Sequence, residues 1–178
     1  MDSADSSIPL QLRVGGLSRE DLLASLDRLG VLLNASAEVL LNSDVFDRQR
    51  LDSFRVVQRT VGQLGFSNGA ALSSIFARAH EVGLSLCPAI TGPYLRLVMA
   101  GQELAPDSTM SNGSAPSGSI TVAAAPLDDD DDFPKGFYLR VVNGVLWLRG
   151  YRTTDKHIWS PDDCFAFREE NSSLEPDP

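Results

Sequence analysis

The chain has 178 residues, 43% of them hydrophobic and 22% charged, which is the balance of an ordinary globular domain and not of a disordered or fibrous chain. A formal net charge of -9 argues against bulk attraction to nucleic acid. No apolar run reaches the ~18 residues that a membrane span requires, so a membrane is not among the expected partners.

The acidity is unevenly spread. Residues 1–100 carry 9 Arg against 10 acids, residues 101–132 carry 7 acids and no base, residues 133–168 carry 6 bases against 3 acids, and residues 169–178 add 4 acids. The negative charge therefore sits in two segments with little to bury, while the foldable segments are close to neutral. The opening MDSADSSIPLQL lacks the basic and apolar regions of a secretory signal. Its two cysteines, Cys87 and Cys164, are far apart and form no CxxC. Both features point to a cytoplasmic protein with buried free thiols.

In chain order, residues 1–10 read as a flexible arm. Ser18 followed by Asp21 three residues on is a variant capping box, Leu22, Leu23, Leu26 and Leu29 repeat at helical spacing, and Gly30 is a natural stop. A second short helix is expected over 36–43. The run 51–64 fits a helical stripe and a strand. Its Val and Thr content favours a strand across 54–60, bounded by Gly62 and Gly65. A helix over 70–82 buries Leu72, Ile75, Phe76, Ala79 and Val82 and ends at Gly83. YLRLVM, residues 94–99, reads as a strand.

Residues 101–118 are rich in Gly, Ser, Pro and Asn and read as a flexible insertion. A strand returns over 119–125. Five consecutive aspartates, Asp128 to Asp132, place a second flexible insertion at 127–134. A hairpin over 137–151 and a last strand over 164–168 follow, and 169–178 read as a disordered acidic tail. The expected architecture is one α+β domain over 11–168, with N-terminal helices packed on a mostly antiparallel meander of about five strands.

FYLRVVNGVLWLRGY, residues 137–151, is the most informative stretch. Asn143-Gly144 implies a type I′ turn and fixes the register, with Val142 opposite Val145 and Tyr138 opposite Arg149. Alternation then puts Phe137, Leu139, Val141, Leu146 and Leu148 on one wholly apolar face. The other face carries Tyr138, Arg140, Val142, Val145, Trp147 and Arg149, with Tyr151 beyond. Two arginine–aromatic pairs, Arg140 with Trp147 and Tyr138 with Arg149, each contribute about 0.5–1 kcal/mol with no ligand present. The same face could also serve as a contact surface.

YRTTDKHIWSPDD, residues 151–163, holds the densest polar chemistry. Asp155, His157 and Asp162 are weak candidates for a metal or an acid–base site. Ser160-Pro161-Asp162-Asp163 is more simply a turn ahead of the last strand. His80 falls on the surface of the 70–82 helix. There is no GxSxG, Walker A, GxGxxG, HxH or HExxH pattern, and nothing calls for a cofactor.

These features favour a non-enzymatic binding or regulatory domain whose partner is a protein. Its contact residues would be Tyr138, Arg140, Trp147, Arg149, Tyr151 and Trp159. Two alternatives stay open: a hydrolase using the polar turn at 155–163, and a single-stranded nucleic-acid binder, which lacks an RRM motif or lysine-rich flank.

Overall fold

The computed structural model describes residues 9–48, 50–99 and 118–170. Of the segments read as an arm at 1–10, an insertion at 101–118 and a tail at 169–178, residues 1–8, 101–117 and 171–178 lie outside the described residues, while Leu10 and Glu169 belong to strands. Strands β1 (Leu10–Val14), β2 (Leu32–Leu33), β3 (Asp52–Thr60), β4 (Leu84–Ser85), β5 (Ile120–Val122), β6 (Gly136–Val142), β7 (Val145–Tyr151) and β8 (Cys164–Glu169) form one sheet. Helices α1 (Arg19–Arg28), α2 (Ala35–Leu41), α3 (Leu72–Glu81) and α4 (Thr91–Val98) pack on it, and a short 3-10 turn spans Asp44–Asp47.

The α+β class holds, but the sheet is a mixed one of eight strands and not a five-stranded antiparallel meander. Its order is β1-β3-β8-β5-β6-β7-β2, with β4 also paired to β8. Two pairings are parallel, β5 with β8 and β2 with β7. The C-terminal strand enters the middle of the sheet, where a meander would leave it at an edge. Its composition explains this placement: Phe165, Ala166 and Phe167 are consecutive, apolar and fully buried, so both faces of β8 need cover.

Alternation along the strands divides the interior in two. Phe54, Val56, Ile120, Val122, Phe137, Leu139, Leu148 and Ala166 face α1, α2 and α4. Val57, Ala123, Phe165 and Phe167 face the opposite way, onto Ile75 and Ala79 of α3. The helix expected over 70–82 is thus on the far side of the sheet from the N-terminal pair. The strand favoured over 54–60 is present as part of β3.

The segment expected as a strand at 94–99 belongs to α4. Every residue from Thr91 to Arg96 is buried, so the helix has no polar face along which a 3.6-residue period could show. Pro93 sits in its first turn, where a missing N–H costs nothing. Gly92 lets the helix lie against Phe137, since a Cβ there would come within 2.6 Å of the Phe137 Cβ. The two-residue strands β2 and β4 are too short to carry a period at all.

Local signals elsewhere act as the sequence implies. The Ser18 hydroxyl caps α1 by accepting from the Asp21 N–H at 3.1 Å. Asn143 and Gly144 have φ of 50° and 79°, and the hairpin register runs without slip from Gly136–Tyr151 to Val142–Val145. The aspartate run, read as flexible, is turned about Lys135. The Lys135 ammonium donates to the carbonyls of Asp128 and Asp130, and the Asp128 and Asp130 carboxylates accept from the N–H groups of Asp130 and Asp132.

Asn34 joins helix to sheet. After β2 the chain turns into α2, and the Asn34 side chain continues the ladder for one more step. Its Oδ1 accepts from the Gly150 N–H at 2.9 Å and its Nδ2 donates to the Gly150 carbonyl at 3.0 Å. The same Oδ1 caps α2 through the Ala37 N–H at 2.9 Å. Gly150 is required there, because a Cβ would lie 2.6 Å from the Ser36 carbonyl carbon. Asn34→Ala removes a cap and leaves a buried N–H and C=O on Gly150 without their partner, so it is expected to cost about 2–4 kcal/mol. Urea denaturation checks this, and a loss below about 1 kcal/mol would mean the cap alone matters.

Candidate functional site

The outer hairpin face is assembled with the register read from the sequence but is only partly open. Tyr138 is 8% exposed and Arg140 1% exposed. β6 lies inside the sheet between β5 and β7, which removes its residues from the rim. Trp147, Arg149 and Tyr151 on β7 are half-buried. The two anticipated arginine–aromatic pairs reduce to one arginine. The Arg149 guanidinium lies 5.1 Å from the Trp147 ring centre and 5.9 Å from that of Tyr138. A cation between two rings stiffens all three side chains.

Tyr151 and Trp159 belong to the interior. Trp159 is 5% exposed, and its ring packs edge-on to Tyr151 at 5.7 Å, His157 at 5.2 Å and Phe165 at 4.9 Å. Its backbone exchanges two hydrogen bonds with Ala70, at 2.8 and 3.2 Å, which fastens the loop after β7 to the entrance of α3. Tyr151 covers the bare backbone of its cross-strand partner Gly136. Burial pushes the Tyr151 phenol up, so it stays protonated and cannot serve as a base.

The polar turn is spread out by structural duties. Asp155 caps α3 from a distance in sequence: helix α3 begins after Ala71, which offers no side-chain cap, and Asp155 accepts from the Ser73 N–H at 3.1 Å and the Ser73 hydroxyl at 2.8 Å. Those two bonds hold its carboxyl below the usual carboxylate range. His157 rests on Trp159. The Asp162 N–H donates to the Ser160 hydroxyl oxygen at 3.4 Å, and the Ser160 N–H donates to the Asp163 carboxylate at 2.8 Å, closing the turn read from Ser-Pro-Asp-Asp. Among the described residues no group of three His, Cys, Asp or Glu side chains is placed to hold a metal ion.

Among the described contacts neither cysteine is joined in a disulfide or brought to a histidine. Cys87 is buried, lies 3.7 Å from the Ala166 carbonyl, and is pushed up to about 12 by burial, which makes it a poor nucleophile. Cys164 lies beside the Gln58 side-chain oxygen at 3.6 Å. His80 is exposed on α3 and faces Glu170 at 3.3 Å.

What stays accessible is the end of the hairpin next to the sheet edge. Leu32 of β2 is in register with Trp147, so both side chains project from the same face, and Leu32 is 46% exposed. Val145, two residues before Trp147 on that face, is 38% exposed. Val145, Trp147 and Leu32 thus form a short apolar row flanked by Arg149. Leu32 carries no motif that would single it out in the sequence. The same is true of Arg48 and Arg50, which line a cleft on another part of the molecule.

No helix among the described residues is long and apolar enough to cross a membrane. No protein-family model, curated protein or solved structure matches this chain.

The role of Asp155 has a pH signature. A carboxyl held low in the folded state adds stability above its ordinary value of 3.8, and that stability is lost as pH falls through the folded value. Asp155→Ala is therefore expected to be less stable than the parent chain near neutral pH and to converge with it in acid. Urea midpoints across the acid range check this. A gap independent of pH would remove the charged cap from the account.

Proposed function

We propose that this chain is a non-enzymatic binding module that engages a protein partner at the end of the β6–β7 hairpin. The single observation that carries this reading is the row of Val145, Trp147 and Leu32 beside Arg149. An aromatic ring held rigid by a guanidinium loses little side-chain entropy on contact, and tryptophan with arginine is the pairing most enriched at energetically dominant interface positions. The exposed leucine and valine supply apolar area around that anchor.

The proposal narrows the contact surface relative to the whole outer face. Arg149 and Trp147 remain as contact residues and Leu32 and Val145 join them. Tyr138, Arg140, Tyr151 and Trp159 support the surface from behind. Stacking of several successive bases would need Tyr138 and Tyr151 open as well as Trp147. A protein contact needs only the narrower patch.

Trp147→Ala combined with Leu32→Ser is expected to lower affinity for the partner at least about 100-fold, as truncating a central anchor does. The far-ultraviolet circular dichroism and cooperative melting of the variant should be retained. Co-purification with the tagged wild-type and variant chains, followed by titration of the retained protein, checks this. A partner held equally by both chains would overturn the reading. So would retention by the wild-type chain that is lost on nuclease treatment.

A further inference from the structure

A second feature lies where β1 ends. The chain turns through Gly15 and Gly16, and Arg50 and Leu51 cross it closely. Gly15 has a φ of +83°, and a Cβ there would lie 2.0 Å from the Arg50 carbonyl oxygen, so only glycine permits the approach. The Tyr94 phenol of α4 lies by the backbone of Leu17 and Gly15, on the same turn. The crossing segment, the end of β1 and the turn Pro88–Ile90 ahead of α4 enclose a cleft of about 440 Å³.

The walls of this cleft are apolar, provided by Val14, Val45, Pro88 and Ile90, with Leu51 at the mouth 73% exposed. Its charged groups are Arg48, Arg50 and Asp52. Two of the neighbouring acids are already committed to arginines elsewhere. Asp52 pairs with Arg168 at 2.9 Å, and Asp47 pairs with Arg19. Among the described residues neither Arg48 nor Arg50 forms an ion pair, so the cleft is bordered by two arginines and by the Asp52 carboxylate that Arg168 already engages.

We propose that this cleft binds a small organic anion, with its phosphate or carboxylate held by Arg48 and Arg50 and its apolar body against Val45, Pro88 and Ile90. The volume is that of a small-molecule site, and mostly apolar walls with a few placed polar groups are how such sites are built. Guanidinium forks match the planar or tetrahedral oxygens of such a head group and stay charged at all working pH values. Two arginines on a chain of net charge -9 suit one head group and not a polyanion. The site is separate from the hairpin row and stands or falls independently of it.

Chemical-shift titration of the full chain tests this with four probes: phenyl phosphate, hexanoate, hexanol and inorganic phosphate. One or both organic anions are expected to shift the methyl signals of Val45 and Ile90 saturably, with a Kd below about 1 mM. Hexanol and inorganic phosphate, which each lack one half of the chemistry, should bind at least about tenfold more weakly. The tighter of the two anions identifies the head group as phosphate or carboxylate. Arg48→Gln with Arg50→Gln should weaken binding about tenfold or more and leave the melting temperature unchanged. The proposal is overturned by the absence of saturable shifts up to about 10 mM, by equal binding of hexanol, or by wild-type affinity in the double variant.

Discussion

A buried guanidinium holds the architecture together. Arg96 on α4 is fully buried and donates to the carbonyls of Arg140 and Trp147, each at 3.5 Å, and to that of Met99. Desolvation lowers its pKa to about 10, so it remains charged at neutral pH. Taking such a charge out of water costs several kcal/mol, which charge-assisted bonds to backbone oxygens offset only where the geometry is fixed. The helix must therefore sit at one place on the hairpin. Tyr94, two residues earlier on α4, is buried in the core beside the turn after β1. Helix, hairpin and first strand are locked as one unit, and both proposed binding surfaces lie on its margins.

This arrangement explains why aromatic and polar residues that look functional serve the interior instead. Trp159, Tyr151 and His157 close the second core under α3. Asp155 supplies a cap that α3 lacks at its own start. A small second core beneath a single helix has limited apolar area, so edge-on ring contacts and a long-range cap make up part of the difference. The residues left with no such duty are those at the hairpin end and in the crossing segment.

Legibility in the sequence followed the range of the interaction. The hairpin register, the Ser18 cap, the Ser160 turn and β3 depend on neighbours a few residues away, and each was readable from local chemistry. Helix α4 was not, because a helix buried all round shows no amphipathic period. The mixed topology was not, because parallel pairs such as Ile120 with Cys164 join distant segments and leave no local mark. The run Cys-Phe-Ala-Phe did carry a signal, since consecutive apolar residues suit a strand covered on both faces. For the contact surface, Trp147 and Arg149 were legible as types. The exposure of Leu32 and the burial of Arg140 depend on which strand lies next to which, and only the fold decides that.

The position of β8 has a consequence for how the polypeptide is made. During synthesis β3 and β5 emerge long before the segment that pairs with both of them, and until it arrives each presents an unfilled hydrogen-bonding edge. The final strand acts as a keystone inserted last, with Phe165 and Phe167 completing one core and Ala166 the other. Chains that stop short of Cys164 leave one edge of β3 and one edge of β5 without the strand that pairs with both.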